Sequence, residues 1–454
     1  MACKNTLFSL KFLFYLCEMK KMYIETYGCQ MNIADSEVVA SILSKQYVIT
    51  NNQKEADLFL INTCSVRDHA EQRIRKRLRE LAVLKKKNKQ LQIGLLGCMA
   101  ERLKEQLLNE EPTLDFIAGP DSYRSLLQLI EDSKSGNPSF NVLLSKEETY
   151  DNIDPVRYDS NNVSAYISIM RGCNNFCSYC VVPYTRGRER SRDPKTILNE
   201  VQLLVKQGYK EVTLLGQNVN SYSWSDNYLQ YNFADLIEQV SLVDPQLRVR
   251  FATSHPKDIS DKLIDVIAKQ PNICKYIHLP VQSGSTALLK KMNRVYSREF
   301  YLERVKMIKQ IIPDCAISTD IIAGFCGETE EDHQATLSLM EEVGFSSAFM
   351  FKYSVREGTK AAKSYIDDVP EEIKSRRFNE ILTLQHKLSL QSNRNDIGKS
   401  FEILVEGVSK RSPNHLFGRN SQNKVIVFPK ANQKFGDYTT VTVKKCTAAT
   451  LIGD

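Results

Sequence analysis

No apolar run in this chain reaches the length of a membrane span. The one candidate targeting segment, "LFSLKFLFYLC" at 7–17, is about half a span long, is broken by Lys11 and has no small-residue cleavage site behind it. Neither an anchor nor a signal is expected. Residues 1–21 read instead as a dispensable extension, with "MKKMYIETYGC" from Met19 running into the first strand. Internal repeats and low-complexity tracts are absent. So are a Walker-type phosphate loop and a G-x-S-x-G elbow, which removes two common enzyme classes. The histidines His69, His255, His278, His333, His386 and His415 make no metal-binding spacing. Twelve cysteines in 454 residues, about 3%, are too dilute for a disulfide scaffold and point to a reducing compartment, the cytoplasm.

What is present divides into parts. With 42% apolar and 25% charged residues the composition is that of a globular protein of two or three domains. From 22 to 138, strand runs ("MYIETYGC", "DLFLINTC", "QIGLLGC") alternate with helical ones ("DSEVVASILSKQ" and the basic stretch Arg67–Lys89), the pattern of a parallel-sheet α/β domain. Residues 139–164 are polar and read as a linker. From 165 to 395, six strand signals separated by helices predict a partial (β/α)6 barrel and a helical connector from Pro370 to Asn395. In "DPKTILNEVQLLVKQG", Asp193 is the expected N-cap, Pro194 opens the first turn, and Ile197, Val201 and Leu204 share one face. From 396 to 454, the runs "SFEILVEGV", "NKVIVFP" and "YTTVTVKKC" predict a small β-barrel. Residues 399–454 hold nine Lys or Arg against four Asp or Glu, a net +5 of the chain's +7, which suits RNA.

Six cysteines stand where chemistry is expected. Cys173, Cys177 and Cys180 form C-x3-C-x2-C at the end of the barrel's first strand, and α/β barrels keep their chemistry at C-terminal strand ends. Close thiolates select zinc or an iron-sulfur cluster. A zinc site wants a fourth Cys or His nearby, and none occurs between Val181 and Asn218. Three ligands on a four-iron cluster leave one iron open. Cys29, Cys64 and Cys98 each follow an apolar run, so all three fall at the same edge of a parallel sheet and suggest a second three-cysteine cluster. Cys3, Cys17, Cys274, Cys315, Cys326 and Cys446 read as small hydrophobes.

With "YGCQMN", "INTCSVR", "GCNNFCSYCVVPYTRGRERSR", "LPVQSGS", "TDIIAGFCGET" and "YSVREGTKAA" in this order, the chain resembles the radical S-adenosylmethionine (SAM) methylthiotransferases from Met22 onward. Ala323 and Cys326 vary the stretch around Gly324 and leave the cysteines untouched. The resemblance implies an N-terminal domain with an auxiliary 4Fe-4S cluster on Cys29, Cys64 and Cys98, a radical SAM barrel with a 4Fe-4S cluster on Cys173, Cys177 and Cys180, and a C-terminal TRAM barrel. It also implies SAM in two uses, as methyl donor and as the source of a 5′-deoxyadenosyl radical. Tyr179 fits the pattern before the third cysteine, and Gln217, Gln282 and Arg294 are candidates to contact SAM.

"NNFCSYCVVPYTRGRERSR" with "GQNVNSY" is most similar to the branch acting on N6-isopentenyl-adenosine beside the tRNA anticodon. Expected partners are therefore the tRNA anticodon stem-loop, a reducing electron donor and a sulfur source, for a monomeric chain. Arg186, Arg188, Arg190 and Arg192, with Lys410, Arg411, Arg419 and Lys424, are the expected RNA contacts. Two alternatives stand beside this reading. One is a sister methylthiotransferase acting on threonylcarbamoyl-adenosine in tRNA or on a ribosomal-protein aspartate. The other is a non-catalytic RNA-binding iron-sulfur sensor.

Overall fold

In the run Leu58–Thr63 (β3), every residue is buried, so both of its alternating faces are covered and the strand belongs at the centre of a parallel sheet. The computed structural model, which describes residues 19–65, 68–158 and 162–454, places it there. Its companions are β1 (Lys20–Thr26), β2 (Tyr47–Ile49), β4 (Gln92–Gly97), β5 (Phe116–Ala118) and β6 (Ser139–Asn141). All pair in parallel, in the order β2-β1-β3-β4-β5-β6. Leu58 and Leu60 pack with Met22, Val39 and Leu43 on the face carrying helix α1 (Gln30–Leu43). Phe59 and Ile61 pack with Ile74, Leu78 and Leu81 of α2 (Asp68–Lys87) on the other. The order reverses between β1 and β3, the switch point at which open parallel sheets bind ligands outside their C-terminal strand ends.

The described residues group into two units, one holding those up to Tyr158 together with Val181–Arg190, the other those up to Cys180 and Ser191–Asp454. The first unit departs from two sequence expectations. The helix expected to begin near Asp35 begins at Gln30. Part of the expected linker, 139–164, is also structured. It supplies β6, and Tyr150 is buried against Tyr123 with ring centroids 5.7 Å apart, accepting from the Tyr123 N–H and donating to the Pro120 carbonyl.

In the second unit the six expected strands are all present: β7 (Ser164–Ser168), β8 (Glu211–Leu215), β9 (Arg248–Ala252), β10 (Tyr276–His278), β11 (Ala316–Ala323) and β12 (Ser347–Lys352). They form two parallel three-stranded sheets, β9-β8-β7 and β10-β11-β12, with a parallel bridge between Val249 and Ile273. This is a partial barrel. The helix Pro194–Lys206 is capped as expected, Asp193 accepting from the Lys195 N–H at 2.8 Å, with Ile197, Val201 and Leu204 buried. A 24-residue helix, Glu371–Arg394, leads to a closed five-stranded barrel of β13 (Ser400–Val408), β14 (His415–Arg419), β15 (Val425–Pro429), β16 (Tyr438–Cys446) and β17 (Leu451–Gly453). Its core is Ile403, Val405, Leu416, Ile426, Phe428, Val441, Val443 and Leu451. β14 and β17 were not expected.

A buried carboxylate ties this small barrel to the larger one. Glu211, at the start of β8, accepts from Arg250 Nε at 2.6 Å and from Arg419 Nη2 at 2.7 Å. Although burial opposes its charge, the guanidinium groups of Arg250 and Arg419 win, and its pKa falls to about 2.

Candidate active site

The loop after β7 carries Cys173 and Cys177, both buried, and the half-buried Cys180. Its conformation is imposed by the segment 291–294. Phe176 stands at φ +47°, an unusual backbone for a bulky residue, while Asn293 Nδ2 donates to the carbonyls of Asn175 (3.2 Å) and Phe176 (3.0 Å). Ser178 donates its N–H to the Met292 carbonyl and its hydroxyl to that of Lys291. Arg294 Nη1 donates to Cys177 Sγ at 3.3 Å, Nη2 to the Pro280 carbonyl and Nε to Tyr296 Oη. Each nitrogen of Arg294, expected as a SAM contact, thus holds the cysteine loop or its support. Tyr179 meets Phe325 edge-on, and burial pushes its hydroxyl well above the usual pKa.

The neighbouring strand ends offer polar groups with nothing bound to them. Gln217 Oε1, Asn218 Oδ1, both amide atoms of Asn220, and Ser254 Oγ are buried without hydrogen-bond partners. Burial, Arg294 and Lys257 together lower His255 to about 2, so its ring is neutral. Thr253 and Gln282 follow β9 and β10 at φ +67° and +73°. Strained backbone of this kind persists where surrounding structure over-determines it, and it clusters at ligand sites. Gln282 is pinned by its N–H to the Asp320 carbonyl and by its own carbonyl from the Ile322 N–H. Unsatisfied buried amides beside three cysteines fit a polar ligand such as SAM.

Cys29, Cys64 and Cys98 follow β1, β3 and β4, two of them flanking the switch point. Register brings them together: Thr26 pairs with Asn62 and Thr63 with Gly97, so the three chains leave the sheet side by side. Gly28 (φ +127°) and Gly97 (φ +90°) make the approach possible. A Cβ on Gly28 would lie 2.6 Å from Cys64 Cβ, and one on Gly97 would lie 2.5 Å from the Thr63 carbonyl oxygen. Behind the cysteines is an amide network that sequence reasoning missed, although its residues stand in the quoted motifs. Asn32 Nδ2 donates to Asn62 Oδ1 and the Thr63 carbonyl, and Asn62 Nδ2 donates to the Asn32 carbonyl and Ser36 Oγ. The Cys29 thiol donates to Asn32 Oδ1 at 3.2 Å. Cys29 occupies the N-cap position of the 14-residue α1. Burial pushes the Cys98 thiol up, against the lowering effect of Arg186.

Neither triad has its sulfurs mutually within 4.8 Å. Among the described residues the one group of three metal-type ligand atoms that meets this distance is Glu330, His333 and Glu380. The Glu330–His333–Glu380 group is an ion-pair network: His333 bonds Glu380 at 2.6 Å, and Arg376 pairs with both glutamates.

Five of the eight expected RNA contacts are engaged in ion pairs within the protein. Arg186 pairs with Asp35 at 2.9 Å, Arg190 with Asp121 at 2.9 Å and Arg192 with Glu200 at 2.8 Å, all buried. Arg419 holds Glu211 and Glu406, and Lys424 holds Asp396. A guanidinium taken from water this far stays where a carboxylate receives it. Arg188, Lys410 and Arg411 are exposed, as are Lys430 and Lys434, which the sequence reading did not single out. The Lys430 N–H donates to the Asn414 carbonyl, bringing the loop that carries Lys430 and Lys434 beside the one that carries Lys410 and Arg411.

Comparison with known proteins agrees in order with this architecture. Residues 21–119 match the uncharacterized protein family UPF0004, 167–340 the radical SAM superfamily and 394–454 the TRAM domain. The barrel fold is shared with the radical S-adenosylmethionine methyltransferase TsrM from Kitasatospora setae, solved with cobalamin and a 4Fe-4S cluster, at TM-score 0.58 and 13% identity over 76% of this chain and 77% of that one. The chain is thus a radical SAM protein with two added domains. Its sequence is 56% identical over 439 residues to the tRNA-2-methylthio-N(6)-dimethylallyladenosine synthase of Phocaeicola vulgatus, covering 96% of each. It is 54% identical over 442 residues to that of Chloroherpeton thalassium, covering 97% of each. It belongs to the family of tRNA-2-methylthio-N(6)-dimethylallyladenosine synthases.

Proposed function

We propose that this chain converts N6-isopentenyl-adenosine next to the tRNA anticodon to its 2-methylthio derivative. The observation that carries the reading is the pair of three-cysteine sites, each at C-terminal strand ends, in a chain matching that family over nearly its whole length. Cys173, Cys177 and Cys180 would hold one 4Fe-4S cluster, and Cys29, Cys64 and Cys98 the other. When bound, the first supplies the electron that cleaves SAM to a radical, and the second carries the sulfur that is methylated and transferred.

The chain's own groups do the rest. Asn293, Ser178 and Arg294 hold the first cysteine loop in place. Gln217, Asn218, Ser254 and Gln282 line the position of SAM with fixed polar groups. A neutral His255 adds no charge there. The exposed rim of Lys410, Arg411, Lys430 and Lys434, with Arg188, supports contact with tRNA phosphates. A loop base enters such a site at little unstacking cost. Among the described residues no helix is long and apolar enough to cross a membrane. In this reading the chain works in the cytoplasm, as a monomer served by an electron donor and a sulfur source.

The test is mass spectrometry of tRNA from a deletion strain and from the same strain complemented. The expected result is loss of the 2-methylthio derivative with accumulation of N6-isopentenyl-adenosine. Loss confined to threonylcarbamoyl-adenosine derivatives or to a ribosomal-protein aspartate would overturn it in favour of a sister enzyme.

A further inference from the structure

Arg186 was expected on an RNA-facing rim and lies inside the first unit instead, 4% exposed, at the end of the short helix Val182–Arg186. Its Nη2 donates to Asp35 Oδ2 at 2.9 Å and reaches Asn32 Oδ1 at 3.5 Å. That same Oδ1 accepts the Cys29 thiol, so guanidinium and sulfur share one acceptor. The helix Cys98–Leu103 packs against the helix that ends in Arg186. Its Nη1 is buried with no hydrogen-bond partner. A buried charged donor left unmade is costly, and the cost is relieved if the occupant of the site supplies the acceptor.

We propose that Arg186 is a positioning residue of the Cys29–Cys64–Cys98 site, its Nη1 N–H directed at a sulfur anion held there, with Asp35 fixing the orientation of the guanidinium. The proposal rests on the reading of those cysteines as cluster ligands. It deepens that reading by naming the group that recognises the sulfur. The segment also has a chemical logic. Arg186 follows Cys180 by six residues, so one stretch of chain carries three cysteines of one set and the cation of the other.

The experiment uses the full chain with Cys173, Cys177 and Cys180 replaced by alanine, so that only the second set can bind iron. Arg186→Gln is combined with Asp35→Asn to avoid leaving a buried charge unpaired, and Arg186→Lys is made alongside. After anaerobic reconstitution, iron per chain is measured, then sulfide is titrated in by electron paramagnetic resonance and the midpoint potential is recorded.

The expected result for the neutral pair is unchanged iron with at least tenfold weaker sulfide binding. Its potential should also be lower, by 59 mV if the one-electron equilibrium shifts tenfold. Arg186→Lys keeps the charge without the fork and should fall between. Unchanged sulfide affinity and potential in the neutral pair would overturn the proposal. If that pair loses iron, Arg186→Lys decides by the same titration, wild-type affinity counting against the proposal. Removing Cys29, Cys64 and Cys98 in the same background tests the underlying reading separately: iron that persists there defeats the cluster assignment itself.

Discussion

The two cysteine sets are preorganised by different means. Cys173, Cys177 and Cys180 lie within eight residues, on a loop whose shape is dictated by the distant segment 291–294: Asn293 donates to two loop carbonyls, Arg294 to a sulfur, and the carbonyls of Lys291 and Met292 receive the hydroxyl and N–H of Ser178. Cys29, Cys64 and Cys98 are spread over 70 positions of sequence, and sheet register brings them together, with two glycines allowing close approach and an amide pair bracing the edge. A local motif needs distant clamps to become a site. A dispersed set needs only parallel strands, because the hydrogen bonds that build the sheet also align its ends.

The largest effect should come from deleting each set in turn. Triple alanine replacement of Cys173, Cys177 and Cys180 should abolish SAM cleavage and methylthiolation together and halve the iron from about eight per chain. Replacement of Cys29, Cys64 and Cys98 should abolish methylthiolation yet leave 5′-deoxyadenosine formation, followed by chromatography. Full methylthio product from the second variant would erase the distinction between the sites.

Loosening the clamps should be milder and should separate the two modes of support. Asn293→Ala frees two carbonyls and the left-handed Phe176, so SAM cleavage should fall by about 10²-fold with iron retained, the scale expected for a misplaced reacting group. Asn32→Ala should leave SAM cleavage intact and reduce only methylthio product. Equal effects of both variants on 5′-deoxyadenosine would mean that the two sites are not independently held.

Away from the cysteines, the buried ion pairs set the pH dependence of stability. Glu211 has its folded pKa depressed from 4.5 to about 2, so its contribution is present above the unfolded pKa and is lost as pH falls toward 2. At 1.36 kcal/mol per unit this is about 3 kcal/mol, and Glu211→Gln should lower Tm at pH 7 and flatten the acid side of the stability profile.

Glu101 is the opposite case. Burial raises it from 4.5 to about 7, with Oε2 unpartnered, so the folded state favours the proton and stability declines as pH rises from about 4.5 to 7. Glu101→Gln should raise Tm at pH 8 and change it little at pH 4. Smallest of all, Lys410→Ala with Arg411→Ala should weaken tRNA binding and make its logarithmic salt slope shallower by about 1 to 2, read by filter binding. An unchanged slope would leave Lys430, Lys434 and Arg188 as the basic contacts to test.

The sequence by itself determined the three-part architecture, the six barrel strands and which cysteines stand at strand ends, because these follow from local periodicity and from spacing along the chain. It could also place Asp193 at a helix start, since a cap is a matter of neighbouring residues. The fate of the arginines was beyond it. "RGRERSR" looks the same whether its charges face water or carboxylates, and the partners of Arg186, Arg190 and Arg192 lie 151, 69 and 8 residues away. Only the tertiary structure decided that these three are buried and paired. It alone set Asn293 against the cysteine loop and Asn32 behind Cys29, since an amide's role depends on which backbone groups the fold leaves without partners, and no stretch of sequence records that.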